Sequence, residues 1–571
     1  MEDVGLEDPD PQAVNEANVR ANESSRVPKT VLDHWLSKIP SLDGDQRVIF
    51  EDILRCASNT KEKNRLFYVD ARAGCGKTFV CNCISAQLRS IGKMVLTSAP
   101  SALAASLHLA GTTCHKCFGL PVTNDRVRRT SSLTTRSYQG SAIRLSDVLI
   151  IDEFSMLDVL NLDCIDRVCR DLTGNDLPFG GKVLFCCGEF AQLPPVVPNG
   201  LRRDIILAST VSHPLWQSFR QHILHTRWRN VDDIPFQTFC DGLSPQHADG
   251  FFESDRFLPQ FRTCTTTQTA VDMFIDNFVG FPEKVIDDHD FSKLSLCPIY
   301  RGVAAAYHHI YAMALDSEIS CKVRRRLSEE EICCIAVDTA TKGAMITPEF
   351  IEIIASKNHQ LPPGNLRLFR GLKVRLLRNF HPSRGLCNGT ILIVRKVGRH
   401  HIEAQILSDN EFNGNIETLF RFKFDVESKA LSFSRVQFPV ASAFAGTVHR
   451  FQGLSVPEGS YLLLDQRKNP FCHGQGYVAM SRARRSEQVI VITMPGAEVM
   501  QCLTYKELCS RGFAISPSSG PVDETSDMDF EGFVAPLDDE VSVSSGPFNG
   551  LRPPPTDQID EIDPDFDFDV I

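Results

Sequence analysis

The residues best suited to chemistry lie in a glycine-rich segment near the amino end, which reads ARAGCGKT over residues 71–78. A strand-like apolar run at residues 66–69 precedes it, and a stretch compatible with a helix follows from Phe79. Strand, loop and helix in this order are the context that a phosphate-binding loop requires. Gly74 and Gly76 let the backbone curl so that its amide groups face phosphate oxygens, and the positive end of the following helix adds to the attraction.

The side chains of the loop have predicted roles as well. Lys77 is expected to reach the β and γ phosphates, and the Thr78 hydroxyl is expected to ligate Mg²⁺. Ala71 stands where the usual pattern has glycine, and alanine costs more there only if the backbone needs a positive φ. The predicted nucleotide-binding residues of the loop are Ala73, Gly74, Cys75, Gly76, Lys77 and Thr78.

A pair of acidic residues follows the apolar run VLII at residues 148–151. Four apolar β-formers fit a buried parallel strand, and parallel sheets bind their ligands at the carboxyl ends of the strands. Asp152 is therefore expected to hold Mg²⁺ through water, and Glu153 is expected to polarise the attacking water. The two motifs predict a nucleoside triphosphatase, but a small-molecule kinase or a GTPase would show the same features.

The elements that must position these groups follow from the pattern of the whole chain. Its 571 residues, with 42% hydrophobic and 23% charged, have the size and composition of a multidomain globular protein. From about residue 31, apolar runs alternate with helical stretches, which predicts an α/β fold with parallel sheets. Residues 371–438 instead predict a β-rich insertion of short strands. Residues 1–26 and 517–571 lack hydrophobic periodicity and are predicted to be disordered acidic tails.

Charge is unevenly distributed along the chain, whose formal net charge is −11. Residues 521–571 contribute −14 and residues 1–26 contribute −5, which leaves +8 on residues 27–520. A mildly basic body fits a polyanionic partner, because phosphate neutralisation dominates nucleic-acid affinity. No apolar run reaches the ~18 to 20 residues of a membrane span, and the acidic amino end is neither a secretory signal nor an organelle presequence. We therefore expect an intracellular protein without a membrane segment.

The twenty cysteines raise the question of metal and disulfide sites. They are scattered, and many lie in apolar runs, where cysteine behaves as a small hydrophobic residue. Cys114 and Cys117 have zinc-knuckle spacing, but no second Cys or His pair follows at the expected interval. We predict reduced thiols rather than a zinc site or disulfides.

Together with the phosphate-binding loop, eight further segments between residues 38 and 495 resemble the motifs of one helicase group, in the order that the group has them. This group is the superfamily-one helicases related to RecD and to the Pif-one family of 5′-to-3′ DNA helicases. A single motif is moderately specific, whereas the ordered set is very specific. The segments are LDGDQ at 42–46, TSAPSALAASLHLAGTTCHKCFGLP at 97–121, DEFSM at 152–156, PFGGKVLFCCGEFAQLPPVV at 178–197, LHTRWR at 224–229, GLKVRLLRNFHPSRGLCNGT at 371–390, QFPVASAFAGTVHRFQG at 437–453 and HGQGYVAMSR at 473–482.

The resemblance assigns further residues to the nucleotide, which it implies is ATP. Gln46 is expected to read adenine, and Gln192 is expected to respond to the γ-phosphate and to the nucleic acid together. Arg229 and Arg482 are expected to approach the γ-phosphate. Hydrolysis between two halves needs such cations to neutralise the charge that builds on that phosphate, so ATP binding and product release would close and open the cleft.

The resemblance also implies which residues hold a single strand. A motor must ignore sequence, so these residues should contact the nucleic-acid backbone and stack on bases. They are Thr113, His115 and Phe118 in the first half, and Thr447, His449, Arg450 and Gln452 in the second. Arg126, Arg128 and Arg129 lie where the family has a small insertion, and they either touch phosphate or form an exposed basic loop.

The chain departs from the family pattern at five positions. Glu189 stands in place of the usual Asp and Ala191 in place of the usual Arg. Trp228 replaces a common Met, Phe451 replaces a common Ser, and Gly446 replaces a larger residue. None of these removes a charge essential to hydrolysis, so we expect activity. Ala191 and Phe451 bear on how hydrolysis is coupled to strand movement.

The implied fold is two RecA-like P-loop domains in tandem, each with a parallel sheet. The expected bounds are 27–222, with a small insertion at about 119–145, and 223–516, with a β-rich insertion at about 385–436. The implied activity is that of an ATP-dependent DNA helicase that uses Mg²⁺, moves 5′ to 3′ on single-stranded DNA and unwinds duplexes. Roles in DNA repair, recombination and telomere maintenance come from the resemblance alone.

Alternative functions stay open at this point. A helicase remnant of a Helitron-type transposon has very similar motifs, although no paired-tyrosine or His-rich nuclease motif accompanies them here. A clamp that binds ATP and nucleic acid without unwinding fits the same residues, and the strand could be RNA. The expected partners are single-stranded and forked DNA. In the acidic tail, Phe566 and Phe568 lie between aspartates and either dock on a protein partner or compete with DNA for the basic groove. The cluster KVRRR at 322–326 is a nuclear import signal, a DNA contact or part of an exposed charged helix, and we expect a nuclear protein.

Overall fold

A computed structural model of the chain describes most of residues 11–509. Within that span it leaves out residues 60, 122–126, 198–199, 230–231, 245–248, 277–296, 300–304, 328, 343–350, 352–360, 382–383, 408–411, 428–431, 454, 457–460, 468 and 471. The predicted acidic tail, with Phe566 and Phe568, and the side chain of Arg126 therefore lie outside the described residues. Among the helices that are described, none combines the length and the apolar character needed to cross a membrane.

The amino-terminal part of the molecule, here called the first half, is built on a six-stranded parallel sheet with the order β3-β2-β4-β5-β1-β6. Successive strand residues alternate between two hydrophobic cores, because side chains of a strand point to opposite faces of its sheet. The strands are β1 (Leu66–Ala71), β2 (Val95–Ala99), β3 (Thr112–Thr113), β4 (Val148–Ile151), β5 (Val183–Gly188) and β6 (Arg220–Leu224). The helices are α1 (Pro11–Ser25), α2 (Lys29–Lys38), α3 (Gly44–Ser58), α4 (Lys77–Ser90), α5 (Ala102–Ser106), α6 (Cys114–Phe118), α7 (Tyr138–Leu145), α8 (Val159–Thr173) and α9 (Arg202–Ala208).

The rest of the described chain, here called the second half, has its own five-stranded parallel sheet with the order β20-β9-β21-β22-β8. Two parallel sheets in tandem confirm the predicted fold class. The strands are β7 (Gly250–Glu253), β8 (Arg262–Cys264), β9 (Cys297–Ile299), β10 (Ile332–Ile335), β11 (Val337–Lys342), β12 (Asn365–Leu368), β13 (Lys373–Leu376), β14 (Ile391–Val397), β15 (His401–Leu407), β16 (Ile416–Phe420), β17 (Phe422–Glu427), β18 (Ser432–Gln437), β19 (Val440–Ser442), β20 (Ala445–Thr447), β21 (Leu462–Asp465), β22 (Val489–Ile492) and β23 (Gln501–Thr504). The helices are α10 (Ile234–Gly242), α11 (Thr267–Asp276), α12 (Ala305–Leu327), α13 (Val448–Phe451), α14 (Gln475–Met480) and α15 (Lys506–Cys509).

The β-rich insertion of the second half is wider than the sequence predicts. Its main sheet is antiparallel, with the order β16-β15-β14-β13-β19, and it therefore runs from Lys373 to Ser442 rather than over 385–436. A second antiparallel sheet joins β11, β18 and β17. The buried apolar residues of β13 and β14 belong to one core with those of β21 and β22, so the insertion is packed on the parallel sheet.

Two predicted boundaries are wrong. Residues 11–25 form helix α1, where the sequence predicts part of a disordered leader, because Val19 is buried in the core of the first half. Two polar contacts hold the same helix to α7, one between Arg144 and Glu16 at 2.7 Å and one from the Tyr138 hydroxyl to Glu23 at 3.0 Å. The boundary at residue 222 cuts through β6, whose register with β1 continues to Leu224.

The last described segment of the chain returns to the first half. Strand β23 pairs antiparallel with β7 of the second half. Leu503 of this strand, together with Tyr505 and Leu508 beyond it, packs in the same hydrophobic core as Trp216. We call residues 501–508 the strap, because they contribute to the packing of both halves.

Candidate nucleotide-binding site

The phosphate-binding loop connects the end of β1 to the start of α4, as the sequence predicts. Gly74 and Gly76 have φ values of +87° and +81°, which other residues rarely adopt. A Cβ atom on Gly74 would lie 2.5 Å from the Cβ of Arg229, and one on Gly76 would lie 2.6 Å from Nε2 of Gln46. Both positions therefore require glycine, because the backbone has a positive φ and a side chain would clash with its neighbours. Ala71 lies in β1, in extended backbone, where alanine costs nothing extra.

Lys77 begins helix α4, and its side chain in the cleft is 10% exposed. Its Nζ donates to the carbonyl of Ala71 at 2.7 Å and lies 3.7 Å from Oε2 of Glu189. Burial alone would lower the pKa of Lys77, but the charges of Glu189, Glu153 and Asp152 outweigh burial and raise it. The ammonium group is therefore positive at neutral pH, as a phosphate ligand must be.

Asp152 follows β4 and has donors on both carboxylate oxygens. Oδ2 lies 2.7 Å from Nε2 of His108 and 3.3 Å from the hydroxyl of Thr78, while Oδ1 accepts from the Glu153 amide at 2.8 Å and from the Cys187 thiol at 3.2 Å. Burial would raise the pKa of Asp152, but the hydrogen bond and charge of His108, together with Lys77, lower it to about 2. The carboxylate is ionised and held in one orientation.

Glu153 is held in a strained backbone conformation beside Asp152. Its φ of +51° is in the left-handed region, which costs a non-glycine residue on the order of 1 to 3 kcal/mol. Its Oε2 is buried and has no hydrogen-bond partner among the described residues. Burial and the charge of Asp152 raise the pKa of Glu153. A buried carboxylate with raised pKa and an unused oxygen is suited to accept a proton from water.

These groups fit a nucleotide and its metal ion. The loop has no room for a side chain at Gly74 or Gly76, and an ionised carboxylate lies within hydrogen-bonding distance of the Thr78 hydroxyl. In the described residues, no group of three or more His, Cys, Asp or Glu could hold a metal ion alone. A single carboxylate plus a hydroxyl suits Mg²⁺, which usually takes its remaining ligands from phosphates and water.

Glu189, which follows β5, is the centre of the polar contacts across the cleft. It accepts hydrogen bonds from Gln192 and from the Tyr477 hydroxyl, which belongs to α14 of the second half. Arg72 lies 3.8 Å from the same carboxylate, and its guanidinium lies over the Tyr477 ring at 5.3 Å from the centroid. The Tyr477 oxygen also accepts from the Ala73 amide at 3.2 Å. The acidic residue at the family's usual Asp position therefore connects the loop to both halves.

Gln192 extends this network to the segment that the sequence assigns to DNA. Its Oε1 accepts from Nε2 of Gln452, at 3.2 Å, and both side chains are buried. Gln452 follows α13 in the second half. The contacts from Lys77 through Glu189 and Gln192 to Gln452 thus cross the cleft without a gap.

Both predicted arginines lie at the cleft. The backbone amide of Arg229 donates to the Gly74 carbonyl at 3.3 Å, so this residue contacts the loop directly. Arg482 is buried, and it donates to the Val478 carbonyl and to the Ser481 hydroxyl, each at 2.9 Å. Burial lowers the pKa of Arg482, and the negative charge of Glu153 acts in the opposite direction.

Gln46 and Trp228 flank the loop on its outer side. Gln46 closes a capping box with Asp43 at the start of α3, and its Nε2 donates to the Cys75 carbonyl at 3.2 Å. Trp228 is 55% exposed, its amide donates to the Gly74 carbonyl at 2.9 Å, and its indole donates to Asp43 at 3.2 Å. An exposed aromatic ring beside the loop offers a flat surface to a nucleobase.

The predicted DNA contacts of the first half are only partly accessible. Thr113 is half-buried and caps α6, accepting from the Lys116 amide at 3.3 Å. His115 is half-buried, and burial lowers its pKa. Phe118 is 1% exposed and packs in the core of the first half, so its ring is not accessible for stacking in this structure. Arg129 is also buried, 3.7 Å from Asp158, and is no part of an exposed basic loop.

The second-half candidates lie on one short stretch. Thr447 precedes α13 and is half-buried, as is His449, whose pKa burial lowers to about 4. Arg450 lies in α13, with its side chain outside the described part. Gln452 is 8% exposed and faces Gln192 rather than the surface. The basic cluster 322–326 lies at the end of α12, where Lys322 pairs with Asp272 at 2.6 Å.

Sequence reasoning missed three residues of this site. Arg72 lies in the phosphate-binding loop at a position where the motif accepts any residue, so the motif does not indicate a role for it. His108 lies within a quoted segment but has no spacing that relates it to Asp152. Tyr477 stands five residues before Arg482, and only the fold brings it to Glu189.

Two parallel sheets, a phosphate-binding loop on the first and an arginine from the second define a P-loop nucleoside triphosphatase with two RecA-like halves. Residues 41–238 match the family model of the PIF1-like helicases, and residues 349–397 match that of the DNA helicase Pif1 2B domain. The chain is 36% identical over 494 residues to the ATP-dependent DNA helicase RRM3 of Saccharomyces cerevisiae, covering 79% of this chain and 66% of that protein. The chain belongs to the PIF1-like helicase family.

Solved structures of this family share the fold. The crystal structure of the Pif1 helicase from Candida albicans superposes with a TM-score of 0.54 at 23% identity, covering 79% of this chain and 94% of that one. The structure of Bacteroides Pif1 bound to ssDNA gives a TM-score of 0.53 at 20% identity, with 83% and 95% covered. The chain spans 54% to 67% of the length of the seven curated helicases that match most of it.

Proposed function

We propose that the chain is an ATP-dependent DNA helicase that moves 5′ to 3′ along single-stranded DNA and unwinds forked duplexes. The observation that supports this most is the series of contacts from Lys77 through Glu189 and Gln192 to Gln452, which joins the nucleotide loop to the other half. A change at the γ-phosphate can thereby alter the segment expected to hold DNA. The domain bounds, corrected at residue 224 and for α1, belong to the same proposal.

Residues of both halves contribute to the proposed hydrolysis step. Lys77 and the loop amides hold the phosphates, and Thr78 and Asp152 hold Mg²⁺, which would supply positive charge at the phosphates. Glu153 orients the attacking water and accepts its proton. Arg229 and Arg482 neutralise the charge that develops on the γ-phosphate, which is worth about 10³ to 10⁵ in rate. Closing of the cleft brings both arginines to the γ-phosphate. Hydrolysis is therefore coupled to the movement of the two halves.

The test is unwinding of forked duplexes that bear a 5′ or a 3′ tail. We expect unwinding with the 5′ tail only, and we expect Lys77→Ala and Arg482→Ala to lose ATPase activity while they keep single-strand binding. Lys93→Ala and Arg485→Ala are matched controls, since these residues pair with Asp147 and Asp232 away from the loop. ATP hydrolysis by Lys77→Ala would refute the assigned site. DNA-stimulated hydrolysis without strand separation would instead select a clamp.

Roles in DNA repair, recombination and telomere maintenance, a nuclear location, and a protein partner for residues 521–571 are further parts of the proposal. The family membership supports the first, and the basic cluster at 322–326 supports the second. Imaging of the tagged chain, with and without an alanine replacement of that cluster, tests the location.

A further inference from the structure

His108 joins two segments that the sequence motifs treat separately. It lies between α5 and β3, in the segment expected to hold DNA, and its imidazole is fully buried. Its Nε2 lies 2.7 Å from Oδ2 of Asp152. An ionised carboxylate only accepts hydrogen bonds, so we assign the proton to Nε2. The same Oδ2 lies 3.3 Å from the Thr78 hydroxyl, which makes it the oxygen that His108 and the magnesium site share.

The backbone around His108 is fixed to the helix that follows the phosphate-binding loop. Asn82 lies one turn after Thr78 on α4 and is 1% exposed. Its amide nitrogen donates to the carbonyl of Leu107 at 2.9 Å, and its amide oxygen accepts from the Leu109 amide at 3.0 Å. Both peptide groups that flank His108 are thereby held, and the imidazole is aimed at Asp152.

The connection from His108 to the strand-holding residues is equally tight. The His108 carbonyl accepts from the amide of Gly111 at 3.1 Å, and a Cβ on Gly111 would lie 2.0 Å from the Ala105 carbonyl oxygen. Thr113 follows two residues later and is paired with β2. We therefore expect a shift at Thr113 to be transmitted through this turn to His108.

We propose that His108 is a positioning residue that couples the strand-holding segment to the magnesium-binding carboxylate. It touches neither nucleotide nor DNA, and it acts by setting the orientation of Asp152 relative to Thr78. DNA that moves the segment thereby changes how well the carboxylate holds the metal ion. The DNA part of this inference rests on the proposed helicase function, whereas the effect on metal binding does not.

Two substitutions of similar polarity separate the hydrogen bond from mere packing. In His108→Gln the side-chain amide nitrogen reaches about as far as Nε2 and can still donate to Asp152. In His108→Asn the amide ends at about the position of Nδ1 and cannot reach. His213→Asn is a matched control, since His213 is another buried histidine of the first half, whose ring accepts from the Leu215 amide.

The first readout is binding of Mn²⁺, as a substitute for Mg²⁺, to the protein with ADP, followed by electron paramagnetic resonance. We expect His108→Asn to lower Mn²⁺ affinity by about 10-fold or more, as for other residues that orient metal ligands, and His108→Gln to stay within about 3-fold of the wild type. Wild-type affinity in the Asn variant, or equal losses in the Asn and Gln variants, would overturn the proposal.

The second readout is the mutual effect of metal and DNA, measured by fluorescence anisotropy of a labelled dT oligonucleotide with and without Mn²⁺ and ADP. Coupling between two binding sites is reciprocal, so the wild type should show one coupling factor in both experiments. We expect His108→Asn to abolish that factor while DNA affinity without nucleotide stays within about twofold. A wild type that binds no DNA would refute the proposed helicase, and the Mn²⁺ result would still decide the role of His108.

Discussion

At the scale of single residues, the phosphate-binding loop shares its polar groups with the second half. The Tyr477 hydroxyl accepts from the Ala73 amide, and Glu189 lies 3.7 Å from the Lys77 ammonium. A bound triphosphate needs that amide and that ammonium for its own oxygens. We therefore expect nucleotide binding to compete with the Tyr477 hydroxyl for the Ala73 amide.

Tyr477→Phe removes the competing oxygen, together with the hydrogen bond that it donates to Glu189, and leaves the ring in place. One neutral hydrogen bond is worth about 0.5 to 1.5 kcal/mol net, so we expect ATP and ADP to bind about 2- to 10-fold more tightly. Binding of a fluorescent ADP analogue measures the change. Tyr68→Phe is the matched control, because Tyr68 is also buried, in β1, and its hydroxyl has no hydrogen-bond partner among the described residues. Weaker nucleotide binding by Tyr477→Phe would show that the hydroxyl assists the bound state instead.

The residues that could be predicted from the sequence are those whose role depends on local chain geometry. Lys77 and Thr78 follow from a loop whose strand and helix are next to it, and Asp152 and Glu153 follow from one buried strand. Phe118 could not be judged in this way, because its burial depends on how α6 packs on the sheet.

At the scale of elements, helix α12 positions the strand that leads to the second-half DNA candidates. Asp316 of α12 is 6% exposed, and its Oδ1 accepts from the Ala445 amide at 2.8 Å, at the start of β20. Burial raises the pKa of Asp316 to about 6, although hydrogen bonds from Ser442 and the charge of Arg375 act in the opposite direction. A buried carboxylate therefore sets the register between α12 and the parallel sheet.

The raised pKa makes the second half less stable at high pH. The folded value of about 6 exceeds the unfolded value of 3.8, so the stabilisation is complete below pH 3.8 and is lost as pH rises through 6. The loss is on the order of 3 kcal/mol. Asp316→Asn keeps the acceptor without the charge, so we expect a higher melting temperature than the wild type at pH 7.5 and a smaller difference at pH 5. The exposed Asp425→Asn is the control, and an equal difference at both pH values would contradict the expectation.

Elements were predictable where their pattern is strong within a short window. The parallel strands β4 and β5 are uniformly apolar and buried, as the sequence indicates. Helix α1 was missed because it is polar, with Val19 as its one buried apolar residue among those described, and such a helix owes its stability to tertiary contacts. The strap was not predicted either, because nothing in the sequence of residues 501–508 shows which half they pack against.

At the scale of the whole molecule, the two halves are joined by contacts at the cleft and by contacts of the strap. At the cleft, Tyr477 and Gln452 contact Glu189 and Gln192. At the strap, His473 donates from Nε2 to the Phe190 carbonyl at 2.8 Å and accepts at Nδ1 from the Tyr505 amide at 2.8 Å. In the proposed cycle the cleft contacts change, whereas the strap is packed in a hydrophobic core and is suited to act as the fixed pivot.

Tyr505 is the residue through which this pivot can be tested. Its ring is 7% exposed, stacks on His473 at 5.6 Å between centroids, and lies 5.0 Å from the Arg202 guanidinium. Tyr505→Ala should lower the free energy of unfolding by about 3 kcal/mol and uncouple the halves, so that one calorimetric unfolding transition becomes two.

Tyr461→Ala is the control, since Tyr461 also packs under an arginine, at 5.2 Å from Arg262, but within the second half alone. It should lower the melting temperature without splitting the transition. A single transition in Tyr505→Ala would mean that the cleft contacts alone hold the halves together, and the strap could not then be the pivot.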